Sequence, residues 1–241
     1  MKNQKMKVLI VDDDERVHDF LSPALNENGY STTSCHSAGE ASTKLKNEAF
    51  DLLLIDINMP KRSGLDLVLE MRHEGTAPHL AEKPIIVMSG YIDEHEDSLK
   101  HFNSINYIEK PFNTETLCQL ITKTIEEQSL RSDPNIEENL LEADAVICDV
   151  DTIPTDALYI QKGRVQVYDK NNDFIKEVVE GNFLLVNNAI TKTPVGFKII
   201  TVGEVSIFKI PTSKIAEEVL KNKKWLQNLL ISGFSHYNNL K

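Results

Sequence analysis

The sequence predicts two domains of different class. Residues 1–128 read as an α/β domain with a doubly wound, five-stranded parallel sheet, and residues 145–241 as a mainly β jelly roll or barrel with C-terminal helices. Residues 129–144 between them read as an acidic linker or short helix. Three observations carry this. Short aliphatic runs at 7–11, 52–55, 84–88 and 105–109 alternate with stretches of helical periodicity, as parallel strands and crossover helices do. From residue 158 onward, strand patterns follow one another at short intervals across turn signals, as in an antiparallel meander. Between the two, Ser132 to Gln161 holds eight acids and no Lys or Arg.

The central element is Leu52-Leu53-Leu54-Ile55, four aliphatic residues in a row that read as a strand buried on both faces. Asp56 falls at its carboxyl end, followed by Ile57-Asn58-Met59-Pro60 and a turn-forming Lys61-Arg62-Ser63-Gly64. In an open parallel sheet that edge is where chemistry collects, because its loops are free of packing duties. Three other runs end there: Lys7-Val8-Leu9-Ile10-Val11 in Asp12-Asp13-Asp14, Pro84-Ile85-Ile86-Val87-Met88 in Ser89-Gly90, and Ile105-Asn106-Tyr107-Ile108-Glu109 in Lys110-Pro111. The expected site thus joins Asp12, Asp13 and Asp56 to a hydroxyl and an ammonium. Clustered carboxylates suit Mg²⁺, which takes one or two of them at about 2.1 Å and keeps several waters. With their mutual repulsion cancelled, Asp56 can act as a nucleophile toward a phosphoryl group, and Lys110 and Ser89 can hold the phosphoryl oxygens.

The helices follow in order. Residues 15–28 place Val17, Phe20, Leu21 and Leu25 at helical spacing, and Gly29 closes them at C′. Ser37 with Glu40 makes a capping box for a helix ending near Lys46. Residues 65–71 carry Leu65, Leu67, Val68 and Leu69, and 73–83, with Gly75 and Pro78, read as a long loop. Asn113 or Thr114 caps a last helix with Leu117, Leu120, Ile121 and Ile125 facing the sheet, and the domain closes near Gln128.

The acidic pair, Asp56 with Met59-Pro60 and Gly64, Ser89-Gly90, Tyr107 and Lys110-Pro111-Phe112, in this order, resemble the receiver domain of bacterial two-component response regulators. The resemblance covers the first half of the chain and implies a flavodoxin-like fold with Asp56 as phosphoacceptor. It implies Mg²⁺ held by Asp13, Asp56 and the backbone carbonyl of Asn58, with Asp12 assisting through water. The implied donor is a phosphohistidine on a sensor histidine kinase or phosphotransfer protein. Ser89 and Lys110 would move to pair with the phosphoryl group, and Tyr107 would turn inward as a switch, altering the face built around the last strand and last helix. The family also has a cis peptide where Lys110-Pro111 stands. Ser89 replaces the more frequent Thr and keeps the hydroxyl.

A net charge of −11 and a pI near 5.1 argue against nucleic acid as a partner. The first 130 residues carry −9 of that charge and the rest −2. No apolar run of 18 residues and no basic-then-apolar leader is present, so no membrane insertion and a cytoplasmic location are expected. Cys35, Cys118 and Cys148 lack Cys-x-x-Cys spacing and read as small core or surface residues. The histidines, among them His18, His95 and His101, form no metal-ligand pattern.

In the second half, Asp133-Pro134-Asn135 is a breaker and 136–141 a candidate short helix. Ala145-Val146-Ile147-Cys148-Asp149-Val150-Asp151-Thr152 superficially matches the nucleophile motif of haloacid-dehalogenase-type phosphatases. That chemistry needs a parallel sheet with a downstream Lys and acidic pair, so a strand ending at an Ile153-Pro154 turn is preferred. Leu158-Tyr159-Ile160 leads through Lys162-Gly163 into 165–168, and 169–173 form a hairpin turn into 174–179. Residues 197–202 and 205–210 make one more antiparallel pair across Gly203-Glu204. Helices are expected over 212–222 and 224–239, whose apolar stripe, including Ile215, Val219 and Trp225, either packs on its own barrel or forms part of a homodimer or partner surface.

Tyr159-Ile160 before Lys162-Gly163, then Glu180-Gly181-Asn182-Phe183, then a final strand leading to helices, resemble the cyclic-nucleotide-binding domain over residues 145–234. In that family the next segment is a phosphate cassette with a Glu for the ribose and an Arg for the phosphate. Here it is Leu184-Leu185-Val186-Asn187-Asn188-Ala189-Ile190, then Thr191-Lys192-Thr193-Pro194-Val195-Gly196, and both are missing. An apolar pocket cannot stabilise a phosphate, and Lys192 or Lys198 offers only a point charge. No nucleotide-binding residues are therefore expected. The reading is a response regulator phosphorylated on Asp56 that signals through protein interaction of a degenerate barrel to an unidentified downstream partner. It is not an enzyme beyond self-phosphorylation from small donors and autodephosphorylation at Asp56. The rivals are a sensor that still binds a cyclic nucleotide or dinucleotide, a phosphatase using Asp149 and Asp151, and transcription control. The last is disfavoured because no helix-turn-helix pattern follows the barrel, and the small Lys221, Lys223 and Lys224 cluster reads as a solvated helix end.

Overall fold

The computed structural model describes residues 5–73, 78–90 and 105–215. The chain divides into two compact units, Met1–Gln128 and Ser129–Lys241.

The first unit contains β1 (Lys7–Val11), α1 (Glu15–Glu27), β2 (Ser31–Cys35), α2 (Ala38–Asn47), β3 (Leu52–Asp56), α3 (Gly64–Arg72), β4 (Ile85–Ser89), β5 (Ile105–Glu109) and all but the last three residues of α4 (Thr114–Arg131). All strand pairs are parallel, in the order β2-β1-β3-β4-β5. The order reverses direction between β1 and β3, which opens a crevice over their carboxyl ends. Alternate residues of each inner strand face opposite ways. Leu9, Val11, Leu53, Ile55, Ile85 and Val87 pack with Ala41, Leu45, Leu67, Val68 and Met71 of α2 and α3. Val8, Ile10, Leu52, Leu54, Ile86 and Met88 pack with Leu21, Leu25, Leu117 and Ile121 of α1 and α4. The unbroken aliphatic run of β3 follows from this, since both faces are covered.

Several local expectations are corrected. β2 lies on Ser-Thr-Thr-Ser-Cys, where no apolar run marks a strand; it is the sheet edge and buries only Cys35 fully. In α1, Leu21 and Leu25 are buried, but Phe20 is 51% exposed and the buried partner one turn earlier is His18. Ser37 caps α2 by accepting from Glu40 N at 3.2 Å, yet the Glu40 carboxylate accepts from His36 N rather than from Ser37. The reciprocal capping box is that of Ser63 and Asp66 at α3. The expected loop over 73–83 contains a helical turn, Pro78–Ala81, and Arg72 holds its exit by donating to the carbonyls of Leu80 (3.0 Å) and Lys83 (2.6 Å). Asn113 caps α4 through Thr116 N at 2.8 Å, and the helix runs to Arg131.

The second unit is an antiparallel sheet of β6 (Glu137–Leu141), β7 (Val146–Cys148), β8 (Asp156–Asp169), β9 (Phe174–Val179), β10 (Phe183–Leu184) and β11 (Phe197–Pro211); its described residues also include the short helix α5 (Val186–Thr191) and a helical turn at 212–215. The stretch expected as a linker helix over 136–141 is instead strand β6, paired along β11 from Val205 to Lys209. Its acids do not prevent this, because Arg131 grips Glu138 with two donors at 3.1 and 3.2 Å and Ser206 donates to the same carboxylate. The turns expected at Lys162-Gly163 and Gly203-Glu204 are not turns either. β8 and β11 are single long strands paired with each other throughout, and these glycines mark where both bend. Val202 pairs with Arg164 and Ser206 with Lys162, so Gly203, Glu204 and Val205 lie opposite Gly163 as a bulge. Gly163 has φ +93°, and a Cβ there would lie 2.7 Å from Glu204 O, so only glycine fits.

The bend lets residues from both halves of β8 and β11 share one core, including Leu158, Ile160, Val165, Val167, Ile199, Val205 and Ile207. The opposite face of the first half packs Ala157, Tyr159, Phe208 and Ile210 with Leu130, Val186 and Ile215. Arg131 lies 5.4 Å above the Phe208 ring. The hairpin over 169–173 forms as expected, with the Asp169 carboxylate accepting from Asn171 N and Asp173 N. Ile215 is buried, and the expected helices from residue 216 on, with Val219, Trp225 and the lysine cluster, lie outside the described residues, as do His95 and His101. Among the described residues no helix is long and apolar enough to cross a membrane.

Candidate functional site

The carboxyl ends of β1, β3, β4 and β5 bring together what the chain scatters over a hundred residues. Asp56 ends β3 with 5% exposure, and Asp12, one residue past β1, has 1%. Asp13 beside it is exposed. Carboxylate oxygens of Asp12, Asp13 and Asp56 all lie within 4.8 Å of one another. Lys110, one residue past β5, places Nζ 2.6 Å from Asp56 Oδ1 and 2.7 Å from Asp12 Oδ2. The main-chain N–H of Asn58 also donates to the Asp56 carboxylate, and Asn58 itself is exposed. One ammonium thus bridges two of the three clustered carboxylates, and the surplus negative charge is what a hard divalent cation would neutralise. The donors are all oxygen, two buried and one open to solvent, and this fits Mg²⁺ rather than a softer metal.

Burial pushes the Asp56 carboxyl above the ordinary carboxylate range, and Asp12 adds to this while Lys110 and Asn58 oppose it. Burial alone would lower Lys110, but its hydrogen bonds to Asp12 and Asp56 outweigh that and raise it.

Two backbone features fix Asp56. Gly64 donates its N–H to Ile57 O at 3.0 Å, and its Cα approaches so closely that a Cβ would lie 2.0 Å from Asp56 O. On the other side Ile57 N donates to Met88 O at 3.2 Å. Ser89 ends β4 fully buried, one residue past the partner of Asp56, and its carbonyl accepts from Lys110 N at 2.8 Å. The Lys110-Pro111 bond is cis. Tyr107 is half-buried on β5, opposite Val87, against the α2 and α3 side of the core.

One residue of the site was not anticipated. His18 Nε2 lies 2.8 Å from the main-chain oxygen of Asp12. The signal was present: His18, Leu21 and Leu25 share one helical face, and a polar residue there needs a partner.

The second unit offers no comparable cluster among the described residues. Asp149 and Asp151 are exposed at a turn closed by Thr152 N and Asp149 O, after a three-residue antiparallel strand. The segment in place of the phosphate cassette buries Leu184, Leu185, Val186 and Ala189, while Lys192 is exposed and Lys198 pairs with Tyr168 in the sheet. Asn188 is buried and donates to Pro194 O at 2.9 Å.

Residues 8–122 match the family model of the response regulator receiver domain. The chain is 29% identical over 159 residues to "Transcriptional regulatory protein CpxR" of Klebsiella pneumoniae, covering 66% of this chain and 62% of that protein. It is 32% identical over 112 residues to "Transcriptional regulatory protein KdpE" of Staphylococcus aureus, covering 46% of each. The chain thus spans about half to three-fifths of the length of these curated relatives. Among solved structures, a CheY-like receiver domain protein from Methanospirillum hungatei matches at 29% identity and TM-score 0.47, covering 54% of this chain and all of the other. The Vibrio cholerae chemotaxis protein CheY4 matches at 27% identity and TM-score 0.46, covering 50% of this chain and 99% of that one.

Proposed function

We propose that this chain, whose N-terminal half is a response regulator receiver domain, is a switch that takes a phosphoryl group on Asp56 from a sensor histidine kinase or phosphotransfer protein. The observation that carries this is the buried Asp56 joined to Lys110 at 2.6 Å, with Asp12 and Asp13 within 4.8 Å, at the crevice of a doubly wound sheet. An Asp56 carboxylate oxygen attacks phosphorus as the P–N bond of the donor phosphohistidine breaks, and that bond's electron pair returns to the imidazole, which takes up a proton. Asp12, Asp13, Asp56 and the Asn58 carbonyl would hold Mg²⁺, which supplies charge neutralisation at the phosphoryl oxygens when bound. Lys110, already between Asp12 and Asp56, is placed to exchange its contact with Asp56 for one with the new phosphoryl group. Ser89 and Tyr107 are the residues through which that change would be read. The chain catalyses nothing beyond its own phosphorylation from small donors and its own dephosphorylation at Asp56.

The second unit, in this reading, is a cyclic-nucleotide-binding-like barrel that has lost its ligand and works by protein contact, as a homodimer or with a downstream partner. Support comes from the long paired strands β8 and β11 and from the aliphatic residues filling the cassette segment. The test is to incubate the protein with acetyl phosphate and magnesium and weigh it intact. An adduct of about 80 Da, absent from Asp56→Ala, is expected. No adduct from acetyl phosphate or from any histidine kinase would overturn the reading. Calorimetry with cyclic AMP, cyclic GMP and cyclic dinucleotides is expected to show no binding.

A further inference from the structure

Asp12 is restrained at every polar atom. Its N–H donates to Cys35 O at 3.1 Å, Oδ1 accepts from Asp14 N at 3.0 Å, and Oδ2 accepts from Lys110. Among the described residues its main-chain oxygen has a single side chain within hydrogen-bond reach, His18, at 2.8 Å. A carbonyl can only accept, so Nε2 carries the hydrogen. The ring is 4% exposed and lies edge to face with that of His36, 4.4 Å between centroids. Among the described residues the buried His18 Nδ1 has no hydrogen-bond partner, so Nε2 makes the ring's one hydrogen bond to them.

We propose that His18 is a positioning residue for the acidic pair: through Asp12 O it sets the plane of the Asp12-Asp13 peptide and thereby the direction in which the exposed Asp13 presents its carboxylate. The buried Asp12 is oriented by its own contacts, whereas Asp13, without burial, depends on its backbone for aim. A peptide plane free to rotate would lose the convergence of Asp13 with Asp12 and Asp56 on one cation. Outer groups that orient metal ligands typically matter about 10- to 100-fold in affinity.

This inference rests on the reading of the site as a Mg²⁺-dependent phosphoacceptor. The full chain and its His18→Leu, His18→Met and His18→Gln variants are titrated with MgCl2 by calorimetry, and their melting temperatures are recorded. Leu and Met fill the space without a donor, while Gln retains an N–H. The Mg²⁺ dissociation constant is expected to rise about tenfold in His18→Leu and His18→Met and to return to within about threefold of wild type in His18→Gln. Folded donor-free variants that bind Mg²⁺ as the wild type does would overturn the inference and leave the site reading intact. A wild type that binds no Mg²⁺ would overturn both. Should the variants fail to fold, ¹⁵N imidazole spectra of the wild type decide. A protonated Nε2 and a bare Nδ1 that shift with Mg²⁺ occupancy are expected, and the opposite tautomer or no response to saturating Mg²⁺ refutes the inference.

Discussion

Replacing Gly64 by Ala tests how the phosphoacceptor is held. The added methyl carbon would lie 2.0 Å from the main-chain oxygen of Asp56, 2.7 Å from Ile55 Cγ2 and 2.9 Å from Asp56 C. An ordinary carbon–oxygen contact is about 3.3 Å, so α3 and the end of β3 must separate by about 1.3 Å. Two of the three obstructing atoms are backbone of a strand paired on both sides, so the shift cannot be absorbed by a side-chain rotamer. Overpacking of this kind costs about 2–4 kcal/mol, or a fall in melting temperature of roughly 6–15 °C for a unit of this size. A displacement of about 1 Å at a reacting group also slows its chemistry by roughly 100-fold. The assay pairs calorimetric melting with the rate of adduct formation from acetyl phosphate. Gly39→Ala in α2 serves as the control, because among the described residues nothing lies within 4 Å of its Cβ position. If Gly64→Ala melted within a degree of the wild type and took phosphate at the same rate, the claim that close helix contact positions Asp56 would be wrong.

Other outcomes follow from the same geometry. Burial raises the Asp56 carboxyl, so its ionised form opposes folding; the penalty is absent below the ordinary value of 3.8 and grows as pH rises through the folded group's titration. Asp56→Asn should therefore stabilise the metal-free protein by about 1–2 kcal/mol at pH 7 and by nothing near pH 3, as urea melts at the two pH values would show. Gly163→Ala meets both φ +93° and the Glu204 carbonyl, and should destabilise the second unit by about 2–3 kcal/mol in chemical denaturation, whereas Gly196→Ala, with no described residue within 4 Å of its Cβ position, should be silent. Arg72→Leu strands the carbonyls of Leu80 and Lys83 and should cost about 2 kcal/mol, with faster amide exchange around residue 83 as its local signature. Burial pushes the Cys35 thiol to about 12 and Cys148 to about 11. At pH 8 the native protein should be alkylated by iodoacetamide at the partly exposed Cys118 and at the other two only after unfolding, which peptide mapping would check.

Much of the candidate site could be read from the chain because each of its members ends an aliphatic run. Asp12, Asp56, Ser89 and Lys110 take their place from strand termini, and in a parallel sheet strand termini share one edge. Where the signal was compositional rather than periodic, the expectations failed. β2 consists of small polar residues and shows no pattern until it is seen pairing with β1. The acids of β6 suggested a linker because Arg131 and Ser206, which stabilise Glu138, stand outside that stretch. Glycines 163 and 203 read as hairpin turns, since the left-handed backbone of a turn and that of a bulge make the same demand on sequence.

What the sequence determined alone was the set of faces: which residues must leave water, with what period, and therefore which polar groups are left at the ends. That information is local, because hydrophobic periodicity acts through a residue's immediate neighbours along the chain. Only the tertiary structure decided the distances that make those groups a site. It placed Lys110 against residues 98 and 54 positions away, pressed Gly64 onto the Asp56 carbonyl, and turned an inward histidine of α1 into the anchor of the Asp12 peptide. Such contacts join segments whose separation along the chain carries no trace of their approach in space, and packing alone brings them together.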